Sequence, residues 1–129
     1  MAGELILVVE DNEKNRKLVR DLLTVKGFTV LETDTGEEAL RLARARLPAL
    51  VLMDIQLPGI DGIETLRRLR ADPATAAIPI VAVTASAMMH DRQKILAAGF
   101  DGYQAKPISL RPFLELVREV LDRPPRGAP

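Results

Sequence analysis

The chain has 129 residues, enough for one domain with one substantial core. Lysine plus arginine equals aspartate plus glutamate at 18 each, so the zero net charge makes no electrostatic case for a nucleic-acid or anionic-membrane footprint. Cysteine is absent, which excludes disulfides, thiolate chemistry and cysteine-held zinc, and no apolar run approaches the roughly 18 residues that span a bilayer.

Leu5-Ile6-Leu7-Val8-Val9 is a continuous apolar run and predicts a strand buried on both faces. Glu4 and Glu10 flank it, which is not the shape of a signal peptide, and a cytoplasmic protein is expected. A helical period follows, with Leu18, Val19, Leu22, Leu23 and Val25 on one side and Lys14, Arg16, Lys17 and Arg20 mostly on the other. Asn12 suits its N-cap and Gly27 its C-terminal stop. Residues 29–32 form a second, weaker strand. Thr35-Gly36-Glu37-Glu38 opens a second helix in the manner of a capping box, with Ala39, Leu40, Leu42 and Ala43 as its stripe and Pro48 closing it.

Leu50-Val51-Leu52-Met53 is the third strand and runs into Asp54. Leu57-Pro58-Gly59 and Asp61-Gly62 mark a turn-rich loop before a helix over 63–70, with Ile63, Leu66 and Leu69 inward. Residues 80–83 form the fourth strand, ending at Thr84. A weakly apolar helix covers 88–98, a short fifth strand lies within 100–105, and Lys106-Pro107 follows. The last helix, 109–121, carries Leu110, Phe113, Leu114, Val117, Val120 and Leu121 as its stripe. Residues 123–129 cannot pack and read as a frayed tail. Strands alternating with helices in this way predict an α/β fold, a doubly wound (βα)5 parallel sheet with helices on both faces.

The chemistry collects where strands end. In an open parallel sheet, sites form outside the carboxyl ends of the strands, where strand order reverses. With order 2-1-3-4-5, Glu10 and Asp11 after the first strand face Asp54 after the third. Three carboxylates repel one another, and a divalent cation with oxygen ligands, Mg²⁺ or Mn²⁺, is the natural compensation. Thr84 and Lys106 reach the same rim, one as a hydroxyl donor and the other as a fixed positive charge. Phosphoryl transfer asks a protein mainly for positioning and charge neutralisation, and Asp54 as nucleophile would form an acyl phosphate.

Val9-Glu10-Asp11-Asn12, Leu52-Met53-Asp54 with its continuation to Gly62, Val83-Thr84-Ala85 and Lys106-Pro107 together resemble the response-regulator receiver family of two-component systems. The likeness runs from about residue 5 to residue 121. It implies a flavodoxin-like (CheY-like) fold, a receiver domain over 1–123 and a disordered tail over 124–129. It further implies that Asp54 is the phosphoacceptor, that Asp11 and Asp54 ligate the metal directly, and that Glu10 acts mostly through a bound water. The Gln56 backbone carbonyl would be a further metal ligand. Lys106 would pair with Asp54 or its phosphoryl group, and Thr84 would move toward that group while Tyr103, the switch aromatic, turns inward. The Lys106-Pro107 bond would be cis. Glu10-Asp11 replaces the family's commoner Asp-Asp pair.

The implied partners are a histidine kinase or histidine phosphotransfer protein as donor and a protein target as output, with no nucleic acid and no membrane. Output would run through the fourth helix, fifth strand and fifth helix of a monomer or weak dimer. The start at Met1 and the short tail read as a stand-alone regulator, with an excised receiver as the alternative. The chain would catalyse only its own phosphorylation and dephosphorylation. A Mg²⁺-dependent phosphatase is the competing class, but it would want a second acid where Gln56 stands and a cap domain. A flavodoxin-like cofactor binder would want a phosphate-cradling loop where Glu10-Asp11 stands. Asp54 alone is commonly a turn residue, Glu10-Asp11-Asn12 alone a helix cap, Thr84 a strand former and Lys106 a surface charge; their conjunction carries the reading. His90 reads as an exposed residue, and Met88 and Met89 as either packing or partner contacts.

Overall fold

A computed structural model describes residues 3–85 and 89–123, the latter without the side chains of 89–91. Met88, the side chains of Met89 and His90, and the tail 124–129 lie outside the described residues.

The chain alternates β1 (Leu5–Val9), α1 (Glu13–Val25), β2 (Thr29–Thr33), α2 (Gly36–Arg46) and β3 (Leu50–Asp54). It continues through α3 (Gly62–Ala71), β4 (Ile80–Thr84), α4 (Met89–Ala97), β5 (Gly102–Ala105) and α5 (Leu110–Asp122). The strands are parallel in the order β2-β1-β3-β4-β5, as expected. β3 and β4 are buried along their whole length, which explains their unbroken apolar runs.

Alternating side chains build a separate core on each face of the sheet. Leu7, Val9, Val51, Met53 and Ala82 meet Ala39, Ala43, Leu66, Leu69 and Ile95 of α2, α3 and α4. Ile6, Val8, Leu50, Leu52 and Val83 meet Val19, Leu23, Phe113, Val117 and Val120 of α1 and α5. Caps fall where expected: Asn12 accepts from the Asn15 N–H, and Thr35 from the Glu38 N–H. Asp61 caps α3 by accepting from the Glu64 N–H. Gly27, at φ 91°, takes the left-handed turn after α1.

The apolar stripes of α1 and α5 are narrower than expected. Val19 and Leu23 are buried, but Leu18 is 43% and Val25 83% exposed. At 3.6 residues per turn, Leu18 and Val25 point roughly 100° away from Val19, past the edge of what one sheet face covers. Leu110, in the first turn of α5, is likewise 55% exposed.

Candidate functional site at the carboxyl rim of the sheet

β1, β3, β4 and β5 end together on one rim. Glu10 follows β1 directly, and three bonds hold it. Its N–H donates to the Thr33 carbonyl at 3.0 Å, its carbonyl accepts from the Arg16 guanidinium at 2.9 Å, and its carboxylate accepts from the Asn12 N–H at 3.1 Å. Asp54 is the last residue of β3 and pairs in register with Val83 of β4. Its carboxylate accepts from the Gln56 N–H at 3.2 Å, so the β3–α3 loop folds over it. Gly62 lets that loop return: a Cβ there would lie 2.3 Å from the Asp54 carbonyl oxygen and 2.8 Å from the Ile55 Cα.

Glu10 and Asp54 are each 4% exposed, whereas Asp11 is exposed. Carboxylate oxygens from all three lie within 4.8 Å of one another. The Lys106 ammonium bridges two of them, 2.7 Å from Glu10 and 3.1 Å from Asp54. Burial, then the neighbouring Asp54, push the Glu10 carboxyl up to about 7, although Lys106 and the Asn12 N–H pull it down. Burial alone would lower Lys106, but Glu10 and Asp54 outweigh it and hold the ammonium above the ordinary lysine value. Three carboxylates, two of them buried, against one ammonium leave an acidic excess at the rim. An all-oxygen cluster of this kind could hold a hard divalent cation such as Mg²⁺.

Thr84 is buried at the end of β4, opposite Ala105 of β5 in register, and its carbonyl accepts from the Lys106 N–H at 2.8 Å. The Lys106–Pro107 bond is cis. Tyr103 pairs with Ala82 and packs half-buried on the α4 side of the sheet, with the Arg92 guanidinium 5.9 Å from its ring centroid. The Gln56 side chain is exposed. The structure thus gathers Glu10, Asp11, Asp54 and Lys106 into one cluster, with Thr84 on the adjoining strand end and Tyr103 further down β5. Two residues at this rim escaped the sequence reading. Arg16 falls on the polar face of the α1 pattern, and Gly62 reads only as a turn marker. A glycine at the first position of a helix, where better helix formers are available, was the signal for the second.

A five-stranded 2-1-3-4-5 sheet with an acidic crevice between β1 and β3 defines a class, and residues 6–118 match the family described as the response regulator receiver domain. The chain belongs to the receiver family of two-component response regulators. Its relatives include the polar-differentiation response regulators DivK of Brucella ovis and Brucella abortus. Each is 45% identical over 116 residues, covering 90% of this chain and 94% of the relative. The receiver domain of a Pseudomonas aeruginosa sensor histidine kinase, with a magnesium ion coordinated in its active-site cleft, superposes with a TM-score of 0.87. It is 34% identical, over 95% of this chain and 100% of that one. A Chloroflexus aurantiacus protein described as a response regulator gives 0.90 at 30% identity, over 94% and 99% of the two chains. The CheY-like fold and the place of the chain in two-component signalling follow.

Proposed function

We propose that this chain accepts a phosphoryl group on Asp54 from a phosphohistidine donor and signals by phosphorylation-dependent protein binding. The observation that carries the reading is the Lys106 ammonium shared between Asp54 and Glu10 at the carboxyl rim of the sheet, with Asp11 beside them. In the step proposed, an Asp54 carboxylate oxygen attacks phosphorus as the P–N bond to the donor imidazole breaks. The imidazole leaves with the bonding pair, and an acyl phosphate remains on Asp54. Asp11, Asp54 and the Gln56 carbonyl would hold Mg²⁺, with Glu10 acting through water, and the ion would neutralise phosphoryl oxygens. Lys106 would balance the charge that Asp54 gains, and the Thr84 hydroxyl would donate to a phosphoryl oxygen.

Thr84 and Tyr103 share the α4 side of the sheet, which supports a route from the rim to the α4–β5–α5 face. We assign the receiver unit to 1–123, its setting to the cytoplasm, and its donor to a histidine kinase or a histidine phosphotransfer protein. Likeness to relatives named for polar differentiation supports an output of that kind.

Incubation with acetyl phosphate and Mg²⁺, read by intact mass, is expected to give a labile phosphoryl adduct on the wild type and none on Asp54→Ala. An adduct that persists in Asp54→Ala, or a wild type that stays unmodified even with a phosphohistidine donor, overturns the assignment.

A further inference from the structure

We infer that Arg16 is a positioning residue for the metal-binding loop: its guanidinium pins the Glu10–Asp11 peptide and thereby aims the carboxylates of the cluster. The inference rests on reading Glu10, Asp11 and Asp54 as a Mg²⁺ site.

Arg16 belongs to the first turn of α1, where its own N–H closes a helical bond to the Asn12 carbonyl at 2.9 Å. The side chain does not run out into water as its neighbour Lys17 does. It turns back over the β1–α1 loop and is only 23% exposed, against 67% for Lys17. One terminal nitrogen donates to the Glu10 carbonyl at 2.9 Å, while Nε lies 3.5 Å from Glu32 of β2. Glu32 is held in turn by Arg20 at 3.1 Å. A planar guanidinium with several donors can serve a carbonyl and a carboxylate at once, which an ammonium at one point cannot do.

The carbonyl it grips is the sensitive one. The Glu10 C=O and the Asp11 N–H share one rigid peptide plane, so a fixed carbonyl sets where the Asp11 side chain starts. The other atoms of Glu10 are already tied, its N–H to Thr33 and its carboxylate to the Asn12 N–H. Arg16 supplies the remaining anchor. Groups that orient metal ligands from behind are typically worth ten- to a hundredfold in affinity.

The effect has a distinctive sign. Deleting a positive charge beside a cation site should tighten cation binding if charge alone matters. A positioning role requires the opposite. Mg²⁺ is titrated calorimetrically into the wild type and into Arg16→Gln, Arg16→Lys, Lys17→Gln and Glu32→Gln, with thermal melts in the absence of Mg²⁺ to report the fold. Arg16→Gln is expected to bind about tenfold more weakly. Arg16→Lys should recover part of that loss, because an ammonium can still reach the Glu10 carbonyl. Lys17→Gln removes the same charge from an exposed neighbour that faces Asp21 at 3.5 Å rather than the loop and should bind as tightly as the wild type or slightly tighter. Glu32→Gln loosens the aim of Arg16 and should weaken binding to a smaller extent, which keeps the test decisive if Arg16→Gln fails to fold. Arg16→Gln binding as tightly as the wild type, or Glu32→Gln unchanged when Arg16→Gln does not fold, overturns the inference. A wild type that does not bind Mg²⁺ overturns the metal site itself.

Discussion

Two clusters of buried charge sit at opposite ends of the same sheet, roughly 13 Å apart along β4, and they are built to different ends. At the amino rim, Arg70 of α3 meets Asp101 at 2.8 Å, with side chains 17% and 12% exposed. Further donors of Arg70 go to the carbonyls of Ala76, Ile78 and Gly99, and the same Asp101 oxygen accepts from the Ile80 N–H at 2.8 Å. There a guanidinium meets a carboxylate, and three backbone carbonyls take further guanidinium donors. That cluster is closed: it ties the end of α3 to the start of β4 and the turn after α4. At the carboxyl rim, three carboxylates gather and two of them share one ammonium, while burial and the neighbouring Asp54 lift the Glu10 carboxyl to about 7. That cluster is open. Both rims use the same residue types, and the balance of charge separates scaffold from site.

Breaking the closed end should cost most. Arg70→Ala removes the guanidinium from the largely buried Asp101 carboxylate and is expected to lose about 3–5 kcal/mol of unfolding free energy in urea. A loss below about 1 kcal/mol would mean that the amino rim is no lock. Gly62→Ala attacks the open end through packing, since its Cβ must displace the backbone at Asp54 and Ile55. It should cost about 1–3 kcal/mol and slow adduct formation on Asp54; normal phosphorylation kinetics would sink this account.

Asp54→Asn should do the reverse and stabilise the metal-free protein by about 1 kcal/mol at neutral pH, because it relieves the crowding of carboxylates. The linkage sign follows from Glu10. With its folded value raised to about 7 from 4.5, its contribution is fully present below about 4.5 and is lost as pH rises through about 7. Melts of the metal-free wild type between those values should show that decline, with a smaller decline in Asp54→Asn. Identical pH profiles would remove Asp54 as a cause. The smallest effect lies at the closed end again. Leu47 ends α2 in the left-handed region at φ 49°, a conformation that suits glycine. Leu47→Gly should gain about 0.5–1 kcal/mol and leave phosphorylation unchanged; a less stable variant would show that the exposed leucine packs better than its strain costs.

The parts legible in the sequence are those with a local signature. β1, β3 and β4 announce themselves as unbroken apolar runs because the sheet buries them on both faces, while β2 at the edge mixes Thr29 and Glu32 into its pattern. Glu10, Asp11, Asp54 and Lys106 were readable because each follows or ends a strand, and strand ends in such a sheet converge. The excess of apolar residues on α1 misled, since periodicity shows that Leu18 and Val25 share a side but not how far a sheet face reaches. Arg16 was hidden for another reason: its acceptor is a backbone carbonyl, and a carbonyl has no letter in the sequence. The Arg70–Asp101 pair leaves no pattern either, as its members are 31 positions apart and meet only when α3 and β5 are in place.

The chain contains one tyrosine and no tryptophan. Its intrinsic ultraviolet emission is therefore dominated by a single ring, Tyr103, half-buried on β5 beneath the Arg92 guanidinium of α4, the three phenylalanines emitting only weakly. Any rearrangement of that edge changes the surroundings of the whole molecule's only strong fluorophore. The unlabelled protein thus carries its own optical gauge of the α4–β5 surface, about as far from the carboxylate rim as one short strand can reach.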